Sequence, residues 1–314
     1  MNKIPLIIIA GPTAVGKTSL SIEIAKNFNT DIISADSMQI YKYMDIGTAK
    51  ITKEEMQGIK HYLIDEITPD VEFSVAEFQN RAKRYINEIY SNKKIPLVVG
   101  GTGLYINSLI YNMDFTSTKS NNELRNELQR EVEKYGVEYL HEKLKELDLE
   151  SALRIHPNNV KRVIRAIEVC LNGKDKIGDF KKDLKINTNY HPIFIVLNRD
   201  RNILYERINK RVDIMINSGL IEEVKKLINM GYTEDMTSMK GIGYKEIIKY
   251  LKGEYSLDEA IYIIKRDSRR YAKRQITWFK RYDIANWFNL DEYKDLSEIK
   301  SSILSFIEGK LKVL

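Results

Sequence analysis

Cysteine is nearly missing from this chain: Cys170 stands alone among 314 residues. That excludes a disulfide within the chain and any cysteine-rich zinc site. The four histidines, His61, His141, His156 and His191, lack metal-ligand spacing and read as structural. No window reaches the length of a membrane span, and the apolar run near the N-terminus leads into a glycine loop, as a strand does and a secretory signal does not. Internal repeats and low-complexity tracts are absent as well. The net charge of +6 is modest for this length, so where the charge is placed carries more information than its sum. A soluble, cytoplasmic enzyme is the expectation.

What is present begins with Leu6-Ile7-Ile8-Ile9-Ala10, a buried strand, followed by Gly11-Pro12-Thr13-Ala14-Val15-Gly16-Lys17-Thr18 and a helical pattern. Strand, glycine loop and helix in this order form a phosphate-binding loop. Its backbone N–H groups turn toward one anionic centre, and the helix N-terminus adds partial positive charge. Lys17, expected to stand exposed in its loop, would reach terminal phosphate oxygens, and the Thr18 hydroxyl would serve Mg²⁺. The loop alone does not separate kinases, ATPases, GTPases and group transferases.

Further strands are expected at Asp31–Ala35, His61–Ile64, Ile95–Val99, Pro192–Leu197 and near Ile284–Phe288, with a long helix from about Ser74 to Ser91. The alternation implies an α/β fold, a parallel sheet flanked by helices. Between about 116 and 189 the chain turns charged and helical, which predicts an inserted all-helical subdomain entered at Thr116–Asn122 and left at Asp175–Asn189. The expected division is therefore a core of residues 1–115 and 190–314 around an insertion of 116–189.

Three strand ends carry polar residues suited to chemistry: the phosphate loop, Ser34-Ala35-Asp36-Ser37 and Gly100-Gly101-Thr102-Gly103. In an open parallel sheet such ends line the ligand crevice. Asp36 could hold Mg²⁺ through water, act as a general base, or merely cap a turn. Arg207 and Arg211, four apart on a helix, could close the phosphate site or pair with Glu206 and Asp213. Two basic clusters stand apart from these. Lys161, Arg162 and Arg165 share a helix with the apolar stripe Val160, Val163, Ile164, Ile167 and Leu171. The run Lys265–Arg281 carries eight Lys/Arg against the single acid Asp267, interleaved with Tyr271, Trp278 and Phe279. Solvated helix faces explain many such runs, but beside a phosphate site they point toward a nucleic-acid backbone.

These pieces, with Met44-Asp45-Ile46-Gly47-Thr48-Ala49-Lys50, Arg154-Ile155-His156-Pro157-Asn158, Gly241-Ile242-Gly243-Tyr244-Lys245-Glu246 and Arg270–Phe279, resemble the bacterial tRNA dimethylallyltransferase family, the tRNA isopentenyltransferases. The blocks run in family order over nearly the whole chain. The resemblance implies a P-loop NTPase-like sheet and transfer of a dimethylallyl group from dimethylallyl diphosphate to N6 of the adenosine at tRNA position 37, beside the anticodon. Gly11 to Thr18 would hold the diphosphate, with Mg²⁺ at Thr18 and Arg211 as a further cation. Thr102 would donate to the bridging oxygen, and Asp36 would accept the N6 proton. The anticodon stem-loop would contact Asp36, Ser37, Met38, Gln39, Thr102, Arg125, Lys161, Arg162, Val163, Ile164, Arg165, Arg269, Arg270 and Lys273. A monomer is expected. Competing readings are a small-molecule kinase, a nucleotide-switched RNA binder and an isopentenyltransferase acting on free adenine nucleotides.

Overall fold

Six parallel strands form one sheet: β1 (Ile4–Ala10), β2 (Ile32–Ala35), β3 (His61–Tyr62), β4 (Leu97–Gly100), β5 (Tyr190–Asn198) and β6 (Asn286–Asn289), in the order β3-β2-β4-β1-β5-β6. The structure, a computed structural model, describes residues 3–113, 121–171 and 186–313. Residues Leu6 to Ala10 of β1 are all fully buried, as expected for a central parallel strand covered on both faces. β4 starts at Leu97, two residues later than the apolar run suggests. Pro96 has no N–H to give to the ladder, although its carbonyl still accepts from Ile7 N at 3.0 Å.

The chain divides into two units, Met1–Ile110 with Asn187–Leu314, and Tyr111–Ile186. In the first, helices α1 (Lys17–Asn27), α2 (Lys53–Met56), α3 (Val75–Ser91) and α4 (Gly103–Ile110) follow the early strands. Ser74 caps α3 by accepting from Glu77 N, and Phe78, Ala82, Ile86 and Ile89 form its buried stripe. The second unit contains α5 (Asn122–Tyr135), α6 (Val137–Leu147), α7 (Leu149–Arg154) and α8 (Val160–Leu171). It has a core of its own, built from Leu128, Leu140, Leu144, Val163, Ile164 and Ile167. Most of the expected entrance and exit of the insertion, at 114–120 and 172–185, lies outside the described residues.

After β5 the first unit resumes with α9 (Arg201–Asn217), α10 (Leu220–Asn229), α11 (Tyr244–Leu251), α12 (Leu257–Phe279) and, beyond β6, α13 (Leu296–Leu311). Leu204 and Ile208 of α9, Ala272 of α12 and Ile303 and Ile307 of α13 join the core around β1 and α1.

The register decides where the chemistry falls. Gly100 pairs with Ala10 on one side and with Ala35 on the other. The segments leaving β1, β2 and β4 therefore emerge side by side at the carboxyl edge of the sheet.

Candidate active site

The phosphate loop folds as its glycines require. Gly11 and Gly16 have φ of 153° and 114°, and a Cβ on Gly11 would stand 2.6 Å from the Leu197 carbonyl oxygen. Lys17 opens α1 and is half-buried, not exposed as expected. Its Nζ donates to the carbonyls of Gly11 at 2.9 Å and Pro12 at 2.8 Å. Burial lowers its pKa to about 7, although Asp36 pulls it upward; Arg211 adds to the lowering. An anion beside this ammonium would restore its charge.

Three guanidinium groups reach the loop from beyond β5. Arg199 Nε donates to Val15 O at 3.0 Å, and Arg207 Nε donates to Ala14 O at 2.9 Å. Arg211 donates to Thr13 Oγ1 at 3.3 Å and to the carbonyls of Thr48 and Ala49 at 3.4 and 3.5 Å. The alternative pairing with Asp213 is not made, because that carboxylate goes to Lys265 at 2.5 Å. Burial lowers the Arg211 pKa, with Asp36 and Glu55 opposing.

The Gly100–Gly103 loop is pressed flat between β2 and α12. A Cβ would come within 2.2 Å of Ala35 O at Gly100, 2.3 Å of Gln275 Nε2 at Gly101 and 2.2 Å of Trp278 Cδ1 at Gly103. Gln275 joins the two loops: its Oε1 accepts from Thr13 N at 2.9 Å, and its Nε2 donates to Gly101 O at 2.9 Å. Thr102 Oγ1 accepts from Ser37 N at 3.1 Å. Tyr271 stands beside Thr102 and Gln275, and burial pushes its hydroxyl up to about 12.

Asp36 Oδ1 accepts from Met38 N at 2.9 Å and Gln39 N at 3.4 Å. The turn-capping role is thus real, but it uses one oxygen only. Among the described residues Oδ2 makes no hydrogen bond. The carboxylate lines a cavity of about 940 Å³ together with Thr13, Lys17, Thr18, Arg211 and Tyr271. One space therefore holds an ammonium, a guanidinium and a carboxylate that uses only one of its oxygens in the turn.

The sequence brought Asp36, Lys17 and Arg211 to this cavity, but it missed Gln275, Tyr271 and Arg199 as parts of the site. Gln275 lies 262 residues from its partner Thr13, and no local pattern announces such a pairing. Met38 packs inward, its methyl 2.6 Å from where Gly241 would carry a Cβ. Gln39 lines the cavity and donates weakly to the carbonyls of Thr48 and Ala49, at 3.4 and 3.5 Å.

The basic surfaces need correction at several positions. Val163 and Ile164, which the resemblance placed at the RNA, are 1% and 6% exposed, with their side chains in the core of the helical unit. Arg125 and Arg165 hold the fully buried Glu168 carboxylate at 2.8 and 2.5 Å. Lys161 and Arg162 are exposed on the same helix. On α12, Arg269 donates to Asn209 Oδ1 at 2.5 Å, whereas Arg270, Lys273 and Arg274 are exposed, with the Arg274 guanidinium over the Tyr271 ring.

Fold and site together define an α/β enzyme of the phosphate-loop class whose cavity pairs an anion cradle with a carboxylate. The IPP transferase family model matches residues 39–282. A tRNA dimethylallyltransferase of Clostridioides difficile (strain 630) is 67% identical over 99% of this chain and 100% of its own length. One of Alkaliphilus oremlandii is 58% identical over 98% of this chain and 99% of its own. Among solved structures, the full-length tRNA isopentenylpyrophosphate transferase from Bacillus halodurans is similar with a TM-score of 0.72, at 45% identity and 99% coverage of both chains. A eukaryotic dimethylallyltransferase acting on tRNA gives 0.81, at 27% identity, covering 96% of this chain and 78% of its own. The chain belongs to the IPP transferase family, the tRNA isopentenyltransferases.

Proposed function

We propose that this protein transfers the dimethylallyl group of dimethylallyl diphosphate to N6 of the adenosine at tRNA position 37, releasing diphosphate. The observation that carries the reading is the cavity shared by Lys17, Arg211 and Asp36. The allylic C1–O bond breaks and its electron pair leaves with the diphosphate, whose charge Lys17 and Arg211 stabilise. The N6 lone pair bonds to C1, and the N6 proton passes to Asp36 Oδ2. An exocyclic adenine amine is a weak nucleophile, so a base in place and close approach both count. Thr102, beside Ser37 and Tyr271, would donate to the bridging oxygen. The adenine must leave its stack to enter, which suits a single-stranded anticodon loop.

Mg²⁺ fits the residues present. Thr18 is exposed on the cavity wall, and no group of three or more His, Cys, Asp or Glu that could hold a metal occurs among the described residues. A hydroxyl, substrate phosphate oxygens and waters make a hard-oxygen set of the kind Mg²⁺ takes. When bound, the ion would neutralise charge on the departing diphosphate. We read the protein as a monomer of the cytoplasm; no helix among the described residues is long and apolar enough to cross a membrane.

Dimethylallyl diphosphate labelled in the prenyl group, offered with tRNA or with AMP, tests the reading. Label should enter tRNA only; label in AMP would move the protein to the free-nucleotide class. Asp36→Asn should bind both substrates but transfer about 10²–10⁴-fold more slowly in a single turnover. Unchanged chemistry in that variant would leave Asp36 as a turn cap alone.

A further inference from the structure

The segment Asp45–Lys50, between β2 and α2, has no strand or helix of its own, yet it is held from two sides. From α10, Glu223 places its carboxylate against three consecutive amides. Oε2 accepts from Asp45 N at 2.9 Å and Ile46 N at 2.7 Å, and Oε1 accepts from Gly47 N at 3.0 Å. Oε1 also accepts from the Tyr244 hydroxyl at 2.7 Å. Four donors use the acceptor capacity of an ionised carboxylate in full. Gly47 lies flush on the Tyr244 ring, where a Cβ would be 2.5 Å from the nearest carbon. At the other end, the buried Lys50 donates to Tyr41 O at 2.7 Å and to Asp45 Oδ1 and Asp65 Oδ1, each at 2.6 Å.

What this held segment offers the cavity is a pair of carbonyls, those of Thr48 and Ala49. They accept from Arg211 at 3.4 and 3.5 Å. Among the described residues no carboxylate is hydrogen-bonded to Arg211; its donors go to these two carbonyls and to Thr13 Oγ1, while Asp36 and Glu55 act on its charge without a hydrogen bond. Glu223 itself is not part of the cavity wall.

We propose that Glu223 is a positioning residue: by fixing the amides of Asp45, Ile46 and Gly47 it sets the Thr48 and Ala49 carbonyls, and through them aims Arg211 at the anion in the cavity. This rests on the cavity being the diphosphate site. Glu223→Gln is the sharp substitution, because it keeps the shape but turns one oxygen into an amide that can only donate. Donors would then face donors at either Asp45 and Ile46 or Gly47.

Isothermal titration with inorganic diphosphate in magnesium-containing buffer reads the effect directly. Misdirecting one charge-assisted contact should weaken binding by about 10- to 100-fold. Kcat for transfer should fall, while KM for tRNA stays put. In an Arg211→Ala background, E223Q should then cost nothing further, since its effect passes through Arg211. A substitution that merely loosens the fold would cost the same factor in both backgrounds, and that result, or full diphosphate affinity in E223Q alone, overturns the proposal. If E223Q does not fold, Tyr244→Phe removes a single hydroxyl and enters the same cycle with the same criterion and a smaller expected loss. Wild-type protein that binds no diphosphate would overturn the function proposed above, a result distinct from a variant that binds as well as wild type.

Discussion

Lys17 concentrates the physics of the site in one side chain. An unfolded chain holds its lysine protons up to about pH 10.4, whereas the half-buried Lys17 releases its proton near pH 7. Between those values the unfolded state binds more protons, so folding stability rises with pH across the window. Below about pH 7 the buried ammonium is carried at a cost; above about pH 10 both states are neutral and the cost is gone. A Lys17→Met variant escapes the cost at every pH. Its thermal-stability advantage over wild type, measured by calorimetry without ligand, should therefore shrink between about pH 6.5 and pH 9.5. A gap that stays constant would mean the ammonium is not destabilised by its surroundings. Lys17 was singled out by its motif, but its desolvation was not legible there, because it depends on the packed surroundings of the loop and on Arg211, far along the chain.

At the scale of elements, α12 does more than present positive charge. Its Gln275 bridges the loop after β1 and the loop after β4, using both ends of one amide. Gln275→Leu fits the same space but strands the Thr13 amide and the Gly101 carbonyl, each worth about 1–3 kcal/mol when buried unpaired. The melting temperature should drop and kcat should fall, with KM for tRNA little changed. Normal kcat at reduced stability would make Gln275 a purely structural tie. The strands themselves were readable because their apolar runs of four to eight residues are short and bounded by glycines and turns, which sets them apart from buried helix segments. Boundaries shifted where chemistry intervened, as at Pro96. The ties between elements were not readable. Gln275 to Thr13 and Glu223 to Asp45 join residues 262 and 178 apart, and no periodicity encodes them. Val163 and Ile164 show the opposite case: their place in the apolar stripe of α8 already pointed inward, and the core of the helical unit holds them there.

For the molecule as a whole, the distribution of exposed charge sets the expected response to RNA. The pair Lys161→Glu with Arg162→Glu, and separately the triple Arg270→Glu, Lys273→Glu, Arg274→Glu, should each raise KM for tRNA several-fold and flatten its dependence on salt, as fewer counterions are released. KM for dimethylallyl diphosphate should hold steady. Arg165 and Arg269 are left native because they serve Glu168 and Asn209. Unaltered tRNA kinetics in both variants would put the RNA surface elsewhere. The strand order has a further consequence, in the timing of synthesis. β1 takes β4 on one side and β5 on the other, with Ile4 facing Tyr190. While the ribosome makes the stretch from Gly101 to Asn189, at about 5–20 residues per second, one edge of β1 waits roughly 4–18 s without its neighbour. The helical unit, with a core of its own, is complete within that interval. Gly11 rests against Leu197 and Thr13 against Gln275, so the phosphate cradle is among the last parts of the nascent chain to close. A ribosome that stalls before residue 190 leaves an unpaired, wholly apolar strand edge, which is where aggregation of a truncated chain would start.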